Sequence, residues 1–158
     1  RIHAAADEVW AVVGRADLLH LWFPGIVDCT VTEADGVTTR TITTGAGLQM
    51  SERIVTCDRL LRRFQYRITA SMFTFHQGTI DVIELADGES PECLIVYSTD
   101  AEPSVMALTI GGGTLGALTE LKRRFEGQPA PTSVAPATRS DGATEIAGSA
   151  GRKEPVSG

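Results

Sequence analysis

The chain has 158 residues, of which 42% are hydrophobic, and a formal net charge of −6. This length is sufficient for one domain with a hydrophobic core, and no apolar run approaches the roughly 20 residues that cross a bilayer, so we expect no stable membrane insertion. The acidic balance argues against a nucleic-acid partner, because a nucleic-acid-binding surface needs concentrated basic charge.

Two residue types bear on metals and redox state, and both are sparse: Cys29, Cys57, Cys93, His3, His20 and His76. The cysteines are odd in number and never spaced as C-x-x-C, which indicates free, mostly buried thiols in a reducing compartment. We therefore predict a cytoplasmic protein. The histidines are scattered without ligand spacing, so no metal site and no cofactor is predicted.

The N-terminal segment predicts a short amphipathic helix. Apolar residues at positions 6, 9, 10 and 13 follow the spacing of a helix with one buried face, and Gly14 is a C-terminal stop. A shorter helical turn over 17–22 leads into a corner that Pro24 ends. Trp22 and Phe23 lie at this corner, either at the mouth of a pocket or as simple packing residues.

Strand-like segments then follow at regular spacing, and turn signals separate them. Short connections between successive strands are typical of an antiparallel meander. The predicted strands cover 26–33, 37–44, 47–56, 60–70, 73–85 and 92–100, with turns at 35–36, 45–47, 57–58 and 87–88.

The alternation within these strands predicts an aromatic inner face. Phe64, Tyr66 and Ile68 share one face of their strand, with polar residues on the other, and His76 shares a face with Ile80 in the next strand. A histidine on an inner face is either a general acid-base group or a satisfied, half-buried core residue.

Tyr66 and Tyr97 carry phenolic hydroxyls at the ends of apolar rings. Such groups can orient a ligand oxygen inside a pocket. The alternative is that both are core or rim residues, and the sequence leaves both interpretations open.

One long C-terminal helix closes the folded part of the sequence, and its apolar stripe is formed by Leu108, Gly112, Leu115, Leu118, Leu121 and Phe125. Because interior glycines weaken a helix, we expect Gly111-Gly112-Gly113 to cause a bend, a break or a late start, with 114–126 as the secure part. The run 111–116 matches G-x-G-x-x-G but has no βαβ context, which argues against a dinucleotide site.

The last segment is rich in Pro, Ala, Ser, Thr and Gly, and cannot bury enough apolar surface to offset the entropy of ordering. We therefore predict a folded domain over 1–126 and a disordered tail over 127–158.

Three segments together resemble the START/Bet v 1-like (SRPBCC) superfamily, and in particular its polyketide cyclase/dehydrase branch. The opening 5–13, AADEVWAVV, is similar to that branch's "ApadeVWavv". The middle contains G-x3-R-x6-G-x4-E-x5-D from Gly36 to Asp58, followed by 63–68, RFQYRI. The closing segment 116–122, GALTELK, is similar to the branch's "gL..Lk" helix.

The resemblance implies an α+β helix-grip fold, in which a curved antiparallel sheet wraps around a long C-terminal helix and leaves a hydrophobic tunnel between them. The family's first strand is largely missing, because only Arg1 and Ile2 precede the Ala-rich segment. Exposed sheet edges favour association, so we expect a homodimer, and the chain is interpreted as a fragment or as having a misassigned start.

The leading hypothesis is binding of a hydrophobic small molecule, such as a lipid, a polyketide or an aromatic metabolite. The alternative is a cyclase or dehydratase that uses the same cavity, with His76, Tyr66 or Tyr97 as the proton-transferring candidates. A third hypothesis is a protein-binding or chaperone-cofactor module. The predicted ligand-contacting residues are Trp22, Phe23, Phe64, Tyr66, Ile68, His76, Ile80, Leu108, Gly112 and Leu115.

Overall fold

The computed structural model describes residues 1–85, 88 and 90–127, and contains two α-helices, one short 3-10 helix and six strands in that part of the chain. The helices are α1 (Ala6–Val13), the 3-10 helix (Ala16–Leu21) and α2 (Val105–Glu126). The strands are β1 (Ile26–Ala34), β2 (Val37–Thr44), β3 (Gln49–Asp58), β4 (Arg63–Ile68), β5 (Phe75–Leu85) and β6 (Glu92–Glu102).

The strands form one antiparallel sheet in the order β1-β2-β3-β4-β5-β6. Every neighbour in the sheet is also a neighbour in the sequence, so the predicted meander is confirmed. At the first hairpin, Asp35 and Gly36 adopt φ values of 52° and 71°, the left-handed conformation that a tight two-residue hairpin turn requires. Register shifts at Ile26/Asp28 and Ile54/Thr56 interrupt the regular pairing in β1 and β3.

Helix α1 buries the four positions that its spacing predicts: Ala6, Val9, Trp10 and Val13. Ahead of it, Ile2 forms an isolated antiparallel bridge with Cys93 of β6, through hydrogen bonds of 2.9 Å in both directions. Among the thiols, Cys29 and Cys93 are buried and Cys57 is exposed, and all three are free.

Helix α2 corrects the expectation for the glycine run. It is continuous from Val105 to Glu126, so a break or a late start at 111–113 is wrong. The missing side chain at Gly113 leaves room for the corner residue Phe23, whose ring lies 3.3 Å from the position of a Cβ there. Tertiary packing of this kind outweighs the low helix propensity of glycine.

The buried face of α2 agrees with the predicted stripe at Leu121 and differs from it nearer the N-terminus of the helix. Thr114, Ala117 and Leu121 face inward, whereas Leu108 and Leu115 are 79% and 68% exposed. Thr114 and Ala117 are small residues, which allow the helix to approach the sheet closely, while Leu108 and Leu115 are turned outward.

No helix in the described part of the chain is both long and apolar enough to cross a membrane. Part of the predicted turn at 87–88 lies outside the described residues. Of the predicted tail, only Gly127 is described, and it ends α2 in the left-handed conformation.

Candidate functional site

An apolar cavity of about 180 Å³ lies between the inner face of the sheet and the N-terminal half of α2. Side chains from the 3-10 helix, the corner after it, β1 to β4, β6 and α2 line it. The aliphatic and aromatic part of the wall is formed by Leu19, Phe23, Ile26, Ile42, Met50, Ile68 and Ile110. The polar groups of the wall are Glu52, Tyr66, Tyr97 and Thr109.

The hydroxyls of Tyr66 and Tyr97 are in direct contact, with an oxygen–oxygen distance of 2.6 Å. Burial raises the pKa of Tyr97 to about 12 and raises the pKa of Tyr66 well above its usual value. Both phenols are therefore neutral near pH 7. One hydroxyl donates a hydrogen bond to the other. The second O–H therefore remains available to donate a hydrogen bond outside the pair.

Gly78 makes this contact possible. It lies opposite Tyr66 in the pairing of β4 with β5, and a Cβ at Gly78 would lie 2.3 Å from Cε1 of the Tyr66 ring. The absence of a side chain lets the phenol lie across β5 toward Tyr97. A glycine inside a strand often marks such a close approach.

A buried ion pair lies beside the tyrosines. Arg40 and Glu52 are 2% and 3% exposed, and the Arg40 Nε donates a hydrogen bond of 2.6 Å to Oε2 of Glu52. The Nη2 atom is also 2.6 Å from Oε2, as an ionic contact rather than a second hydrogen bond. The guanidinium carbon is 5.1 Å from the Tyr66 ring centroid and 5.3 Å from that of Phe64.

Glu52 reaches the cavity wall, whereas Arg40 lies behind it against the aromatic rings. Burial raises the pKa of the Glu52 carboxyl, and Arg40 opposes that shift. A buried guanidinium stays charged and needs a counter-ion at this distance, so we describe the two as an ion pair. The cavity therefore has a carboxylate on its surface and the balancing cation behind it.

His76 is placed in the core and not on the cavity wall. It is 2% exposed, its Nδ1 accepts a hydrogen bond of 3.0 Å from the Ile68 N–H, and its ring lies 5.4 Å and 5.3 Å from the rings of Tyr66 and Phe73. Burial lowers the pKa of His76, so the ring is neutral with its proton on Nε2. Within the described residues Nε2 has no hydrogen-bond partner.

Four of the residues singled out from the sequence meet at the cavity: Phe23, Tyr66, Ile68 and Tyr97. Others lie beside it. Trp22 is buried with its ring 6.5 Å from that of Tyr97, and Phe64 and Ile80 belong to the core. Leu108 and Leu115 point outward, and a Cβ at Gly112 would meet nothing within 4 Å, so these three positions of α2 are not on the wall.

The sequence interpretation missed the ion pair and the aliphatic wall from β2 and β3. Strand alternation contains the signal, because it puts Arg40 on the face of Ile42 and Glu52 on the face of Met50 and Ile54. The two positions are also direct partners across β2 and β3. No group of three or more His, Cys, Asp or Glu side chains in the described residues could hold a metal ion.

An antiparallel sheet that curves over a long C-terminal helix, with an apolar cavity between the two, is a helix-grip fold. The chain belongs to the family described as "Polyketide cyclase / dehydrase and lipid transport", whose model matches residues 1–139. This match confirms the resemblance that the sequence motifs carry. A search of curated proteins finds no match to this chain.

Solved structures share the fold. The protein XoxI from Bacillus cereus is 22% identical, with 79% of this chain and 90% of that chain covered and a TM-score of 0.69. A protein from Thermobifida fusca is 25% identical, with 80% and 89% covered and a TM-score of 0.61. BexL, a di-domain ARO/CYC from the BE-7585A biosynthetic pathway, is 18% identical over 81% of this chain and 45% of that one, with a TM-score of 0.61.

Proposed function

We propose that the chain binds a hydrophobic small molecule in the cavity between the sheet and α2. The observation that carries this proposal is the wall itself, which combines seven apolar side chains with a polar end formed by Tyr66, Tyr97 and Glu52, and with Thr109 as the remaining polar residue. Ligand sites in proteins have this character, with a mostly apolar lining and a few placed polar groups that fix the orientation of the ligand. Membership of a family whose description includes lipid transport agrees with it.

The glycines of α2 offer a matched pair of variants for a binding test. Gly113 lines the cavity, and its neighbour Gly112 faces open space. Gly113→Leu places a side chain into the cavity, whereas Gly112→Leu adds the same side chain and the same helix propensity on the outside. Both variants should keep the helical circular dichroism of the unmodified chain.

The test is a titration with an apolar fluorescent probe, together with mass spectrometry of organic extracts of the purified protein. We expect saturable binding to the unmodified chain and to Gly112→Leu, and at least about tenfold weaker binding to Gly113→Leu. Equal affinity of all three proteins for the probe would place binding outside the cavity. No saturable binding to the unmodified chain, with nothing extracted from it, would refute the proposal.

A second candidate is an enzyme of the cyclase or dehydratase kind that uses the same cavity. The spare proton of the Tyr66–Tyr97 pair favours it, because a neutral phenol at a cavity wall can protonate or orient a ligand oxygen. His76 is less suited to proton transfer, since its Nδ1 already accepts the Ile68 N–H. If this candidate is right, Tyr97→Phe abolishes conversion of a reactive polyketide mimic while the mimic still binds; unchanged conversion rejects the role of Tyr97.

A further inference from the structure

We propose that the cavity selects a neutral ligand of about one six-membered ring that carries a hydroxyl group, such as a simple phenol, over multi-ring molecules and over carboxylic acids. This inference rests on the proposed function, because it names the ligand class of the same cavity.

The size of the cavity sets the first part of this specificity. Its volume of about 180 Å³ is close to that of an apolar protein cavity of about 150 Å³ that holds benzene, and is below the roughly 300–1,000 Å³ of pockets for drug-sized ligands. Phe23 and Gly113 close one side of it, since a Cβ at Gly113 would already be 3.3 Å from the Phe23 ring. One ring fills this volume, and a second fused ring would extend through the open mouth of the cavity, where less apolar wall surrounds it.

The polar end sets the preference for a hydroxyl group. Tyr66 and Tyr97 share one hydrogen bond, and the proton that remains on the pair can be donated to a ligand oxygen. Both contacts from Arg40 go to Oε2 of Glu52, so Oε1 remains as an acceptor at the cavity wall. A hydroxyl group can accept from the tyrosines and donate to Glu52, whereas an ether or a ketone can only accept.

The arrangement of charge excludes carboxylates. A ligand carboxylate at the polar end would lie next to the carboxylate of Glu52, which is 3% exposed, and like charges close together at a buried site repel each other. Arg40 does not compensate, because its guanidinium is already paired with Glu52 and lies against the rings of Phe64 and Tyr66. The polar end therefore accepts a neutral oxygen and disfavours an anion.

The first experiment is calorimetric titration of the full chain with five probes: para-cresol, toluene, para-toluate, beta-naphthol and decanoate. We expect para-cresol to bind most tightly, toluene to bind about fivefold to tenfold more weakly, and para-toluate to show no binding. Beta-naphthol and decanoate should both bind more weakly than para-cresol.

Two variants separate the polar effect from the size effect. In Tyr66→Phe/Tyr97→Phe both hydroxyls are removed and both rings stay, so the fold has no orphaned phenol. There, toluene affinity should be unchanged and para-cresol should lose most of its advantage over toluene. Ile110→Ala enlarges the cavity with a good helix former, so beta-naphthol should gain affinity relative to para-cresol while para-cresol keeps its advantage over toluene.

The outcomes distinguish this inference from the function on which it rests. If para-cresol and toluene bind equally to the unmodified chain, or if para-toluate, decanoate or beta-naphthol binds more tightly than para-cresol, the inference is wrong and the cavity still binds hydrophobic molecules. If none of the five probes and no apolar fluorescent probe binds, the proposed function fails together with it.

Discussion

At the scale of single residues, Gly78 controls the position of the tyrosine pair. A methyl group at this position would lie 2.3 Å from Cε1, 2.4 Å from Cζ and 2.8 Å from the hydroxyl of Tyr66, so the whole ring would have to shift. We expect Gly78→Ala to lower the free energy of unfolding by about 1–3 kcal/mol, as overpacking in a core does, measured by urea unfolding.

A double-mutant cycle with Tyr66→Leu is the control for this prediction. Leucine lacks the ring atoms that a methyl group at Gly78 would meet, so Gly78→Ala should have little further effect in that background. If the same loss of stability occurs with Leu at position 66, the loss comes from the strand backbone and not from the Tyr66 ring.

The tyrosine pair can also be observed directly, because the chain contains only two tyrosines. Burial raises the pKa of Tyr97 to about 12 and that of Tyr66 well above 10, so the folded protein should show no phenolate absorbance as the pH passes about 10. A tyrosine that ionises near pH 10 in the folded protein would contradict the burial of the two phenols. The urea-unfolded chain, which should titrate near 10, is the control.

The same shift predicts how stability depends on pH in alkali. The unfolded chain releases its phenolic protons near pH 10 and the folded chain does so only at higher pH. The stabilisation from the buried phenols is therefore fully present below about pH 10 and declines as the pH rises toward about 12. The urea midpoint should fall over that interval in the unmodified chain and fall less in Tyr66→Phe/Tyr97→Phe.

The residues of the site could be predicted in part. Tyr66 and Ile68 follow from strand alternation, and Tyr97 from its phenol in an apolar strand. Alternation also puts Arg40 and Glu52 on the inner faces of their strands, but it does not by itself predict that the two charges are buried, because charged residues in strands usually face solvent. Their burial depends on the pairing of β2 with β3, which brings a cation and an anion together and which only the three-dimensional register shows.

At the scale of secondary structure elements, α2 shows where sequence periodicity fails. Leucine spacing predicted the burial of Leu121 correctly but failed earlier in the helix, where Thr114 and Ala117 are buried and Leu108 and Leu115 are exposed. The helix has two apolar stripes, and its packing against the sheet determines which of them is buried. The existence of the helix and its end near 126 were predictable from composition and the glycine that follows.

The outer glycines of α2 give a stability prediction for this element. A Cβ at Gly112 would meet nothing within 4 Å, so Gly112→Ala should raise the free energy of unfolding by up to about 1 kcal/mol through helix propensity. Gly113→Ala should gain less, because its methyl group comes within 3.3 Å of Phe23. Urea unfolding that shows the larger gain for Gly113→Ala would contradict the assigned faces of the helix.

At the scale of the whole molecule, the order of elements was predictable because each signal is local. Hairpin turns, alternating strands and short connections together define the meander, and the long C-terminal helix is the remaining apolar surface that can cover it. The small volume of the cavity was not predictable, because it depends on how closely α2 and the Trp22-Phe23 corner approach the sheet. That distance determines which molecules fit.

The most direct test of the central claim is to locate a bound ligand by nuclear magnetic resonance. In a complex of the full chain with para-cresol or toluene, we expect intermolecular nuclear Overhauser effects from the ligand ring to the side chains of Ile42, Ile68 and Ile110 on the cavity wall. Effects confined to Val105, Leu108 and Leu115 on the outer face of α2 would contradict the account, because those side chains are exposed and lie outside the cavity.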